Sequence, residues 1–117
     1  MSAQLDASRI AQLRLAMGSE LEGVADRLSQ SMSSAIEELE AALRAGELQR
    51  ARQIAHLFRN DALSVGARGL FEPLERIESA ARDSQPEAAR RAMDELGQSW
   101  PATRAELERL AGRGGAH

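Results

Sequence analysis

Apolar residues in this chain of 117 recur every three or four positions almost from end to end. That spacing puts one apolar stripe on an α-helix. A few polar or glycine-bearing stretches interrupt it. Asp6 or Ser8 is a candidate cap for a first helix reaching about Met17, with Ile10, Leu13 and Met17 on one face. Gly18-Ser19 breaks it. A second helix is predicted from about Glu20 to Ala45, striped by Leu21, Val24, Leu28, Met32, Ala35, Leu39 and Ala42. Gly46 ends it, as a residue that tolerates the left-handed conformation. A third runs from about Glu47 to Leu63, with Ala51, Ile54, Ala55, Phe58 and Ala62 inward, and Ser64-Val65-Gly66 turns the chain. A fourth spans about Ala67 to Arg82 with Leu70, Leu74, Ile77 and Ala81 inward. After the polar loop Asp83-Ser84-Gln85, Pro86 suits the first turn of a fifth helix, with Ser84 or Gln85 as its cap. Its inward face reads Ala89, Ala92, Met93, Leu96, Trp100, Thr103, Leu107 and Leu110, and it stops at Gly112.

Ala, Leu, Glu, Arg and Gln dominate, all good helix formers, and β-branched residues are scarce. No segment alternates with period two. The predicted class is all-α. Short connections between long helices make neighbours antiparallel, so the architecture is an antiparallel up-down four-helix bundle with a short additional N-terminal helix. The expected layout is one domain over 1–111, with the N-terminal helix at 6–17 and the bundle at 20–111, followed by a flexible glycine-rich tail at 112–117. Pro101 removes a backbone donor and presses on the carbonyl of Gly97, so a kink near Trp100 is expected. Trp100 itself reads as a core anchor toward one end of the bundle.

Composition narrows the functions. There is no cysteine, hence no disulfide framework, thiolate nucleophile or cysteine metal site. A net charge of −3 argues against nucleic acid as the main partner. With one Trp, two Phe and no Tyr, the stacking platforms that hold single strands are missing. The apolar runs are far shorter than a membrane span, and no signal peptide is visible. A cytoplasmic protein is expected, without membrane insertion.

One residue stands apart. His56 is one of two histidines, and the other, His117, is the last residue. On a helix over 48–65, His56 falls at the centre of the polar face, nearly opposite Phe58. Gln49, Arg52, Gln53, Arg59, Asn60 and Leu63 lie within roughly 60° of it. Arg52 and Arg59 are its neighbours at i−4 and i+3. Read alone, the two arginines are surface charges, pairing with Glu37, Glu38 or Glu40 or with nothing. A lone histidine offers too few ligands for a metal site.

The stretch AHLFRNDALSVGARGL, residues 55–70, resembles the signature of histidine-containing phosphotransfer (HPt) domains. That pattern has Ala-His, a basic residue three positions later, Gly-Ala at ten and eleven, and a Leu three further on. Here these are Ala55-His56, Arg59, Gly66-Ala67 and Leu70. LERIESAAR downstream resembles the next helix of the family, where a Leu-Glu pair recurs. Two positions depart. Asn60 stands where the family has Gly on the histidine face, adding bulk where a partner would dock. Asp61 replaces the small residue that follows, but points nearly away from His56.

The resemblance implies a phosphorelay module of two-component signalling. His56 would accept a phosphoryl group on Nε2 from a receiver-domain aspartate and pass it to another receiver, without autokinase activity. Imidazole in its neutral form is a nucleophile available near neutrality. Arg59 and Arg52 are the candidates to hold the phosphoryl oxygens. Leu57, Asn60, Leu63 and Gln53 are the candidates to dock the partner. No cofactor or metal is expected on this chain, because in such relays Mg²⁺ belongs to the receiver. Expected partners are response-regulator receiver domains, a hybrid sensor histidine kinase, or both, with the chain itself a monomer. The alternative is a helical adaptor bundle, a degenerate HPt domain that binds a receiver or kinase without phosphotransfer. The dimerisation helices of sensor kinases fit less well. They call for an acidic residue directly after the histidine and a proline five positions after it, and this chain has Leu57 and Asp61.

Overall fold

The computed structural model describes residues 4–112. Five α-helices follow in order: α1 (Ala7–Met17), α2 (Glu20–Arg44), α3 (Leu48–Ser64), α4 (Arg68–Arg82) and α5 (Pro86–Leu110). Their ends follow the local chemistry. The Asp6 carboxylate accepts from the backbone N–H groups of Ser8 and Arg9, capping two of the donors that a helix start leaves free. Gly46 leaves α2 at φ +75°, the left-handed conformation that costs glycine least. Gln85 stands at the N-cap of α5 with Pro86 in the first turn. The tail expected over 112–117 lies, apart from Gly112, outside the described residues, as does His117.

α2, α3, α4 and α5 pack in a ring in that order, α5 closing back on α2, and α1 lies against α2. The molecule measures 43 Å along its long axis, little more than the roughly 38 Å of a 25-residue helix. The core joins Met32, Leu39, Phe58, Leu70, Leu74, Ile77, Leu96 and Leu107, all buried. The inward faces expected of α4 and α5 are buried, with Leu110 only half so. Along α2 the seam runs through Leu21, Ala25, Ser29, Met32, Leu39, Ala42 and Leu43. Val24, Leu28 and Ala35, expected inward, are half-buried instead. The buried stripe thus passes through Ala25 and Ser29, one position along from Val24 and Leu28.

Trp100 is buried and meets Phe58 edge to face, ring centroids 6.2 Å apart at 88°. It therefore lies close to the middle of α3 rather than at an end of the bundle. α5 continues through Pro101, and α4 through Pro73. Each proline has a glycine four residues earlier, Gly97 and Gly69, so no side chain adds to the crowding between the ring and the carbonyl it approaches.

One element carries no periodic signal. Ahead of α1, Leu5 pairs antiparallel with Ala67. Asp6 N donates to Gly66 O at 2.8 Å and Arg68 N to Gln4 O at 3.1 Å. The Glu106 carboxylate accepts from Gln4 N at 2.6 Å and Leu5 N at 3.0 Å. This strap ties the α3–α4 turn to the far part of α5. Gly66 has φ +65°, and a Cβ there would lie 2.6 Å from the Asp6 Cβ. The turn needs glycine both for its backbone and for the strap above it.

Candidate functional site

His56 lies at the centre of α3. The same helix turns Ala51, Ala55, Phe58 and Ala62 into the core, so the imidazole is carried on the outward face. Its side chain is about half exposed, at 51%. Nδ1 lies 3.0 Å from Glu78 Oε2 on α4. An ionised carboxylate only accepts, so a neutral ring engaged this way carries its proton on Nδ1. Nε2 then holds a lone pair on the far side of the ring.

Glu78 was not singled out by the sequence. Its carboxylate also faces Arg59: Arg59 Nε is 3.6 Å from Glu78 Oε1, and Arg59 Nη1 is 3.8 Å from Glu75 Oε1. Arg59 Nε and Glu78 Oε1 are both shut off from solvent and have no hydrogen-bond partner, so each has the other as its nearest opposite charge. Arg59, read alone as a surface charge pairing with an α2 glutamate or with nothing, is instead paired across to α4. Arg59 sits on the α4 side of the His56 face, and α4 supplies the partners. Arg50, not Arg52 or Arg59, reaches α2, 3.8 Å from Glu38.

Register explains the meeting. His56 lies eleven residues before Ala67 and Glu78 eleven after it; Arg59 and Glu75 lie eight before and eight after. In an antiparallel hairpin, positions equidistant from the turn face each other. The signal was therefore present in the sequence, but only for a reader who had fixed the centre of the turn.

Gln49, Arg52, Gln53, His56, Leu57 and Glu78 line one open depression. Arg52 has no ion-pair partner among the described residues, so its guanidinium is available to an anion bound there. Leu57 and Leu63 are exposed apolar side chains, at 66% and 51%. Gln53 and Asn60 are exposed as well. The structure thus brings His56, Arg52, Gln53 and Leu57 together, turns Arg59 toward α4, and leaves Asn60 and Leu63 on the outer face beyond the depression. Asp61 faces α2, where its carboxylate accepts from Ser31 Oγ at 3.3 Å. The other motif positions are structural: Ala55, Ala67 and Leu70 are fully buried. Among the described residues no group of three or more acidic or histidine side chains is placed to hold a metal ion, and no helix is long and apolar enough to cross a membrane.

An exposed histidine thus lies midway along a bundle helix, beside an arginine with no ion-pair partner among the described residues. Residues 23–113 match the Hpt domain family, and the chain belongs to that family. Its fold is similar to that of histidine-containing phosphotransfer protein B (HptB) from Pseudomonas aeruginosa PAO1, with a TM-score of 0.89 and 23% identity over 96% of this chain and 97% of that one. None of the curated proteins compared with it matches.

Proposed function

We propose that this chain is a phosphoryl carrier in a phosphorelay, receiving the group from a receiver-domain aspartate onto Nε2 of His56 and delivering it to a second receiver. The observation that carries this reading is the free Nε2 on a half-exposed ring, opposite the Nδ1 bond to Glu78. Arg52, in the same depression, supplies a charge-assisted donor for the phosphoryl oxygens. Arg59 stands one helical turn away, held by Glu75 and Glu78, and contributes positive field rather than direct contact in the resting state. The receiver docks over Leu57, Gln53, Asn60 and Leu63, where exposed apolar side chains adjoin the reacting group. The magnesium ion and acidic pocket that the reaction requires reside on the receiver. A sensor kinase carrying its own receiver serves as donor in the same way.

The test is incubation with phosphorylated receivers. Label that is lost in acid and kept in alkali should appear on the chain. It should vanish in His56→Gln with the helical circular dichroism unchanged. Label that survives the substitution, or binding of receivers without any label, refutes carriage on His56; the second outcome is that of an adaptor.

A further inference from the structure

Leu57 borders two depressions. One is the depression that holds His56, and the other is a groove between α2 and α3. We infer that Asp61, toward one end of that groove, is a specificity-determining residue. It selects receivers that set an apolar side chain in the groove and a lysine or arginine beside it. The inference rests on the reading of the His56 face as the receiver's landing site, and it names the chemistry of the receiver that fits.

The α2–α3 hairpin builds the groove. Ser31 and Asp61 each lie fifteen residues from Gly46, Ala35 and Leu57 eleven, Glu38 and Ile54 eight. Antiparallel packing sets the members of each pair opposite one another. Ala35 and Ile54 are half-buried and Leu57 is exposed, so the middle of the groove is apolar. Asp61 and Ser31 lie toward one end and Glu38 toward the other.

The two carboxylates differ. Glu38 has the Arg50 guanidinium 3.8 Å away. Asp61 has no ion-pair partner among the described residues. Its carboxylate accepts from the neutral Ser31 hydroxyl at 3.3 Å, and that bond leaves its charge uncompensated. The residue is half-buried, where salt and water screen a charge less than at full exposure.

The groove is within reach of a partner seated on His56. Asp61 lies roughly 7.5 Å along α3 from His56, and one turn beyond Leu57 on nearly the same side. A transient complex covers roughly 600 Å² of each partner, a disc on the order of 14 Å in radius. Centred on His56, it takes in Leu57 and extends to Asp61. An apolar side chain docked there leaves water against Ala35, Ile54 and Leu57. A lysine or arginine beside it supplies the charge that Asp61 lacks. A receiver with an apolar or acidic residue at that place instead covers an unpaired carboxylate, and loses affinity for doing so. Discrimination thus comes from the penalty as well as from the attraction. Asp61 departs from the small residue of the motif, and a small residue would impose no such choice.

The probe is a receiver domain that binds the chain, unphosphorylated for affinity and phosphorylated for transfer. Asp61→Asn keeps an acceptor for Ser31 and removes the charge. Affinity should fall roughly three- to fivefold in dilute buffer, and the difference should close as salt is added. In transfer, the loss should appear in the concentration of receiver giving half the limiting rate more than in that rate itself. Asp61→Lys should bind more weakly still. Each lysine or arginine on the receiver's contact surface is then reversed to glutamate in turn. One reversal should restore binding to Asp61→Lys while weakening binding to wild type. A carboxylate that only ties α3 to α2 would move the urea midpoint and show no such exchange of preference.

The inference is overturned by Asp61→Lys binding the receiver as tightly as wild type does, or by a set of reversals none of which rescues it. The two readings fail separately. A chain that takes no label, yet exchanges preference with the charge at position 61, refutes phosphoryl carriage and supports the docking assignment. A labelled chain indifferent to that charge does the reverse.

Discussion

Replacing Phe58 by alanine tests the facing of α3, on which every statement about His56 depends. Phe58 is buried to 1% exposure and meets Trp100 edge-on at 6.2 Å. Removing a fully buried phenylalanine forfeits roughly 1.5–3 kcal/mol of transfer free energy. The aromatic pair adds roughly 0.5–1.5 kcal/mol beyond its area. A cavity remains, because α3 is held between α2 and α4 and cannot collapse onto the gap. The expected loss is about 3–5 kcal/mol, against a total stability on the order of 5–15 kcal/mol for a domain this size. Urea unfolding followed by circular dichroism would register it as a lower midpoint at unchanged slope. His56→Gln, two residues away on the outer face, is the control. It disturbs one half-exposed bond and should cost no more than about 1 kcal/mol. Comparable losses for the two variants would mean that α3 is rotated from the orientation described, and the free Nε2 would no longer follow.

Other outcomes are expected. Leu63→Glu should weaken receiver binding, and Asn60→Gly should strengthen it or widen the range of receivers accepted; NMR titration should map shifts to the His56 face, and shifts confined to α1 would contradict the docking surface. Arg52→Ala should lower the transfer rate more than the affinity for receiver, as loss of a contact made chiefly in the transition state does, whereas an equal loss in both would make Arg52 a docking residue. Gly66→Ala should cost about 2–4 kcal/mol, of which roughly 1–2 is the left-handed backbone and the rest the clash with Asp6. In an Asp6→Gly background the 2.6 Å contact goes while those with the backbone N of residue 6 (3.2 Å) and Arg9 Cβ (3.3 Å) stay, so the second part should shrink, and a cost that does not change would show the strap to be loose.

Much of the bundle was legible because its boundaries are written in residues with strong backbone preferences. Gly18, Gly46, Gly66 and Pro86 stop or start helices within a residue or two of the expected places. The seams of α4 and α5 were legible for a related reason: apolar side chains at helical spacing there fill the positions that face inward, whereas on α3 Ile54, expected inward, is half-buried and the seam is Ala51, Ala55, Phe58 and Ala62. Along α2 the same reasoning chose Val24 and Leu28 over Ala25 and Ser29, because it ranks side chains by hydrophobicity, while the burial of Ala25 and Ser29 is set by which side of α2 meets its neighbours. The strap was illegible. Gln4 and Leu5 have no period, and Glu106, which holds them, lies more than a hundred residues away. At the site, the outward face of α3 was readable from helical angles alone, since His56, Arg52, Gln53 and Leu57 share one surface. Glu78 and the true partners of Arg59 belong to a different helix. Angles on one helix carry no information about which residues of its neighbour stand opposite.

That pairing across the α3–α4 turn makes the length of the turn a part of the site. His56 and Glu78 are equidistant from Ala67, and Gly66, pinned by Asp6 and by its own positive φ, fixes where the chain reverses. One residue more or fewer between them must be absorbed somewhere. If α4 takes it up, each side chain turns by about 100° and slides about 1.5 Å, and Glu78 no longer meets the ring. Substitutions on the exposed face of α3 can vary the partner that docks without disturbing this spacing. Insertions and deletions between the two residues cannot, so divergence among chains built this way should run freely in side chains and be barred in length.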